Sequence, residues 1–267
     1  MASKVPRWLL GCGVGCGVVV VLVLAAVTVG AVSFNRMMGD VDRATEMRAE
    51  LEERFDAPEN FTPAADGSVA PDRLERFLQV RRALEPLCSR FDNTIGRIEE
   101  FDGREEPPGM GDMFGILGGA LGFPRLMTDY VGARNQALLD AEMGLGEYIY
   151  TYVMAYSAGP AEDGQEERHL AKPPSSRIRR NLPGMLERQR TLLALDGEGT
   201  EELALLDGEI EALRADEGRR PWQDGLPPAI ADSLRPGQEE LQRLACPQAA
   251  DFALGRTQRQ GMIILGD

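Results

Sequence analysis

The sequence predicts an all-α protein, with an N-terminal transmembrane helix followed by an extracytoplasmic, irregular helical bundle. Three observations carry this expectation. Residues 8–34 form 27 consecutive positions without a charge. Beyond them, apolar residues recur at three- and four-residue steps, and strand-type alternation is nearly absent.

The first 34 residues justify the membrane helix. At about 1.5 Å per residue, the uncharged stretch outruns a hydrocarbon core of roughly 30 Å. Lys4 and Arg7 precede it, and Trp8 and Phe34 stand where interfacial aromatics belong. Basic residues crowd the short N-terminal flank. The positive-inside rule therefore predicts a single pass through the cytoplasmic (inner) membrane with the N-terminus inside. The lipid bilayer is the expected partner. A cleaved signal peptide is disfavoured, because its apolar region runs only about 7–15 residues. Gly11, Gly13, Gly15 and Gly17 make two overlapping small-xxx-small pairs, which suit a homodimer or a membrane-protein partner. The plainer reading is that glycine is common in membrane helices.

The boundaries that follow are a flank at 1–7, a signal anchor at 8–34, a juxtamembrane helix and linker at 35–70, and a helical domain at 71–267. The linker is marked by Pro58, Pro63 and Asp66-Gly67. Pro71 suits the first turn of a helix reaching about Phe101, with Phe77, Leu84, Cys88, Phe91, Ile95 and Ile98 as its buried stripe and a kink at Pro86. A loop over 102–111 and a short apolar, glycine-rich helix over 112–122 come next.

One long helix is predicted from Pro124 to about Ser157. Met127, Tyr130, Leu138, Ala141, Leu145, Tyr148, Tyr152 and Tyr156 fall on one face at 100° per residue, and Arg134 is the only charge within it. A charge in a core costs several kcal/mol unless it is paired. Arg134 therefore predicts a carboxylate partner, or else an anion-binding arginine in a pocket lined by Glu147, Tyr148, Tyr152 and Tyr156. Gly144 and Gly146 weaken this helix and admit a close neighbour. After a polar loop holding His169 and the basic run Arg177, Arg179 and Arg180, helices are expected at 183–195 and 201–215. Trp222 reads as a plug in an irregular stretch. Short helices follow at 228–234 and 238–244, with a turn near 249–254 and an apolar tail at 262–265.

Composition limits function more than it defines it. The chain has 267 residues, 29 basic and 43 acidic side chains, a formal charge of −14 and one histidine. Non-specific nucleic-acid binding is opposed by that charge, and a multi-histidine metal site is excluded. Neither metal nor cofactor is expected. The Walker loop, Gly-x-Ser-x-Gly, His-Glu-x-x-His and Cys-x-x-Cys are all missing from the sequence. The turn from Asp196 lacks the glycine and the final glutamate of a calcium loop, having Glu201 and Asp207 there. Cys88 and Cys246, the only thiols beyond residue 34, are either a disulfide or two separate buried cysteines.

The expected function is therefore non-enzymatic. The main reading is a membrane-anchored structural or interaction protein of the bacterial cell envelope. The alternative is an extracytoplasmic small-ligand-binding domain with a tyrosine-lined pocket around Arg134 and Glu147.

Overall fold

The computed structural model describes residues 39–102, 110–158, 176–197, 199–216 and 219–253. The chain divides into two compact units, 1–43 and 44–267. Of the first, residues 39–43 are described, and they are helical. The second carries nine helices among its described residues. They are α1 (44–55), α2 (Pro71–Asp102), α3 (Met110–Asp140), α4 (Leu145–Tyr156), α5 (Ser176–Asp196), α6 (Thr200–Ala215), α7 (Pro228–Leu234), α8 (Gln238–Arg243) and α9 (Ala250–Ala253). Short 3-10 turns stand at Pro58–Asn60, Arg235–Gly237 and Pro247–Ala249. The all-α expectation therefore holds.

The membrane part of the expected fold class is corrected. Among the described residues no helix is long and apolar enough to cross a membrane. The anchor expected over 8–34, with Gly11, Gly13, Gly15 and Gly17, lies outside the described residues. The single-pass topology, the inner-membrane address, the bilayer partner and the envelope role built on it are set aside. His169, the 262–265 tail and the side chains of Ile95, Ile98, Arg177, Arg179 and Arg180 also lie outside the described part.

α2 and α3 run antiparallel and form the spine. Phe91 meets Phe123 edge-on at 5.9 Å near one end, and Arg76 reaches the Ala141 carbonyl at 3.1 Å near the other. Phe77, Val80, Leu84 and Phe91 of α2 are buried, as are Leu126, Tyr130 and Leu138 of α3. Spacings of three, four and seven put such side chains on one helical stripe. Their burial stabilises the fold by roughly 1.5–3 kcal/mol for each large apolar side chain. Both helices run through a proline, Pro86 in α2 and Pro124 in α3. The predicted separate helix at 112–122 is thus the first part of α3. α5 likewise begins at Ser176 and runs through Pro183, the predicted start.

The long helix expected from Pro124 to Ser157 is broken at 141–144. The Met143 N–H bonds back to the Leu138 carbonyl at 2.9 Å and the Glu142 N–H to the Leu139 carbonyl at 3.1 Å. Glu142 takes a left-handed φ of +49° to make that stop, closing α3 with the backbone pattern of a left-handed helix terminus. α2 supplies the remaining donors. Arg76 Nη1 reaches the Ala141 and Glu142 carbonyls at 3.1 and 3.2 Å, and Arg73 Nη2 reaches the Glu142 carbonyl at 3.4 Å. Carbonyls orphaned at a helix end need such partners.

Glycine explains how α4 then packs. A Cβ on Gly146 would stand 2.6 Å from both the Pro58 carbonyl oxygen and Phe61 Cβ, and one on Gly144 would stand 2.9 Å from Phe55 Cβ. The 55–61 segment therefore lies directly on the start of α4. α4 itself is buried at ten of its twelve positions, from Leu145 to Tyr156, as its nearly all-round apolar character requires.

α5 and α6 form an antiparallel hairpin, tied across by Arg190–Asp207 and Arg214–Glu187 ion pairs. In the C-terminal run, α8 and the turns beside it pack on α2, while α9 packs on α3. Arg82 holds Glu240 of α8 through two bonds of 2.8 Å, and Arg243 holds Glu85 at 2.7 Å. Cys88 of α2 and Cys246 are joined as a disulfide with Cα atoms 5.6 Å apart.

Candidate functional site

The tyrosines of α4 gather around an arginine of α2. Tyr148, Tyr152 and Tyr156 are spaced by four and line one face of α4. Their rings follow one another at 6.1 and 4.8 Å. Phe77 packs on the first at 5.3 Å and on the last at 6.3 Å. Tyr130 of α3 closes the side nearer Phe91, with ring centroids 5.6 Å apart.

Arg81 lies in the middle, only 1% exposed. Its Nη1 donates to the hydroxyls of Tyr130 and Tyr148 at 3.3 and 3.2 Å, and its Nη2 donates to the Leu244 carbonyl at 2.6 Å. The guanidinium carbon stands 5.3 Å from the ring centroids of both Tyr152 and Tyr156, within cation–π range. Arg81 Nε and the Tyr156 hydroxyl fall short of full hydrogen-bond geometry with any partner, but the Arg81 and Tyr156 side chains are close enough that the guanidinium pulls the phenol down by hydrogen bonding as well as by charge. Among the described residues, no carboxylate lies within ion-pair distance of Arg81.

The electrostatics leave this cation unneutralised. Burial pushes the phenols of Tyr130, Tyr152 and Tyr156 above their ordinary value, more than the nearby guanidinium pulls them down. They remain neutral. Burial opposes the charge on Arg81, yet the surrounding phenol oxygens hold its pKa well above the usual arginine value. The centre is therefore a full positive charge in an apolar, aromatic shell. It is also rich in donors: five N–H groups and four hydroxyls face a supply of acceptors consisting of the phenol oxygens and one backbone carbonyl.

The residues expected to share one pocket are divided. Tyr148, Tyr152 and Tyr156 come together, but around Arg81. Arg134 is on α3, and the bonds it makes among the described residues run to Asn135 and Ala253 rather than to the α4 tyrosines. It is 1% exposed, bonds Asn135 Oδ1 at 2.8 Å and donates to the Ala253 carbonyl at 3.1 Å. Asn135 in turn donates to the Ala44 carbonyl at 3.0 Å. These contacts fasten α1 and α9 to α3. Glu147, at the start of α4, forms a two-point ion pair with Arg73. It braces α4 against α2 and points to neither Arg81 nor Arg134 in any bond it makes.

Arg81 itself was overlooked by sequence reasoning, although a signal existed. It sits at the four-residue step after Phe77 and three before Leu84, on the apolar stripe of α2. The lone-charge argument applied to Arg134 applies there equally.

A buried carboxylate elsewhere has a structural role. Glu209 of α6 accepts the Trp222 N–H at 2.7 Å and faces Arg219 Nη2 at 3.4 Å. Trp222 is buried, with a left-handed φ of +52°. Burial raises the Glu209 carboxyl above its ordinary value, opposed by the Trp222 and Arg219 contacts. No group of three or more potential metal ligands occurs among the described residues.

Comparison with known proteins gave no match, whether against family models, curated proteins or solved structures.

Proposed function

We propose that the 44–267 unit is a small-ligand-binding domain whose ligand meets the Arg81–tyrosine cluster. The observation that carries this reading is the buried guanidinium with no carboxylate beside it among the described residues and no acceptor in full hydrogen-bond geometry for its Nε. Such a charge costs several kcal/mol to desolvate and is commonly offset by a partner. A bound molecule supplies the missing partner.

The role is binding rather than catalysis. Phenols held neutral by burial are poor general bases near neutral pH. The test is a thermal-shift and calorimetric screen of small polar metabolites against the whole chain and its Tyr156→Phe and Arg81→Lys variants. A ligand of the cluster stabilises the parent in a concentration-dependent way and loses affinity in both variants. If every ligand found binds both variants as well as the parent, the cluster is not the site. If the screen finds no ligand, the reading falls.

A further inference from the structure

We propose that residues 256–265 of this same chain dock on an uncovered apolar face of the α5–α6 hairpin. This surface is separate from the Arg81 cluster and does not depend on the binding role assigned there.

Exposed leucines mark the face. Among the described residues, the exposed large apolar side chains are Leu192, Leu195 and Leu205, at 39, 77 and 53%. All three belong to one hairpin, whereas exposed apolar residues of no consequence are scattered singly. Arg190 and Asp207 pair across one side of it. Leu192 and Leu205 each stand two residues from a member of that pair, about 200° around their helices. Both therefore lie on the opposite side. Leu195 follows Leu192 by three and extends the same stripe.

The beginning of that stripe is covered. One turn before Leu192, Arg188 donates to the Glu59 and Phe61 carbonyls, and Gln189 to the Ala65 carbonyl at 3.4 Å. The 59–65 segment lies there, and the three leucines continue the face beyond it. Two acids flank them. Glu201, one turn before Leu205, and its neighbour Glu202 are exposed. Neither makes an ion pair among the described residues.

The sequence after α9 has the complementary chemistry. Arg256 and Arg259 are the only charges between Asp251 and Asp267, and Met262, Ile263, Ile264 and Leu265 form an unbroken apolar run. Bases followed by apolar residues match acids beside leucines. Residues 254–265 have an extended reach of about 40 Å. Tethering presents them to the hairpin at an effective concentration of about millimolar, which favours them over a free protein of the same chemistry.

The experiment labels the leucine methyl groups of the full-length chain and records their NMR signals in the parent and in Ile263→Asp/Ile264→Asp. Each protein is measured at two concentrations about tenfold apart, enough to reveal self-association by mass action. The double substitution is expected to move the signals of Leu192, Leu195 and Leu205 and to leave those of the buried Leu84 and Leu138 in place. The parent signals are expected to be the same at both concentrations. Leu195 is exposed, so Leu195→Asp keeps the core intact; it is expected to quicken amide exchange over 262–265 about tenfold.

Hairpin leucine signals that ignore the substitutions at Ile263 and Ile264 overturn the proposal. So does unchanged exchange over 262–265 in Leu195→Asp. Leucine signals of the parent that move with protein concentration assign the face to a second copy of the chain and overturn docking within one molecule.

Discussion

Arg81 and Leu244 are joined by a 2.6 Å bond from Nη2 to the carbonyl oxygen, and two residues further on the same stretch of chain is covalently tied to the same helix. Cys88 stands two turns beyond Arg81 on α2, and Cys246 is two residues beyond Leu244, so the disulfide and the hydrogen bond clamp one segment at two points. The backbone acceptor for the buried charge is thereby held in place by the cross-link.

Removing that cross-link weakens the fold. Chain-entropy arguments for a separation of 158 residues give an upper figure of about 5 kcal/mol, and removal of native disulfides typically costs about 2–5 kcal/mol. The Cys88→Ala/Cys246→Ala double variant is expected to lose stability in that range when unfolded in urea. A midpoint unchanged from the parent under non-reducing conditions contradicts the clamp.

Two tyrosine hydroxyls of the same cluster differ in what they hold. The Tyr148 hydroxyl accepts from Arg81, so Tyr148→Phe leaves a buried donor without its acceptor and is expected to cost about 1–3 kcal/mol. The Tyr156 hydroxyl makes no bond of full hydrogen-bond geometry, so Tyr156→Phe is expected to cost less than Tyr148→Phe, by about 1 kcal/mol. Equal losses in chemical denaturation refute this division.

Acid weakens the contact between α2 and α8. Arg82 and then Arg243 hold the Glu240 carboxyl down at about 2, from an ordinary 4.5. A carboxylate depressed in the folded state adds stability that is fully present above the unfolded value and is lost as pH falls through the folded one. The parent is therefore expected to lose stability faster than Glu240→Gln between pH 4.5 and 2. Parallel pH profiles of the two proteins disprove the coupling.

Glycines in two helices make opposite predictions. Gly146→Ala drives a methyl into the Pro58 backbone and is expected to destabilise by about 1–3 kcal/mol, as overpacking does. At Gly208, within α6, an added methyl would meet nothing within 4 Å, so Gly208→Ala is expected to stabilise by roughly 0.5–1 kcal/mol. Thermal unfolding of the two variants distinguishes them by sign.

Much of the helical architecture was legible from spacing. Phe77, Leu84, Cys88 and Phe91 fall where a helix buries one stripe, and the structure buries them on α2. The hairpin of α5 and α6 follows from two amphipathic runs around glycine turns. The broken helix was not legible. Glu142 takes its left-handed conformation without being a glycine, and donors for the carbonyls it frees come from Arg73 and Arg76, far earlier in the chain.

The candidate site divides along the same line. By itself, the sequence determined that Tyr148, Tyr152 and Tyr156 share a helical face, because a four-residue repeat does so in any helix. It also determined that a charge within an apolar stripe needs a partner. Only the tertiary structure decided which charge meets the tyrosines. The break at 141–144 redirects α4 relative to α3, and packing of α2 beside both brings Arg81 to the cluster. Periodicity specifies the face a helix buries, while the neighbour that face meets is set by turns and long-range contacts, whose donors lie far away in the chain.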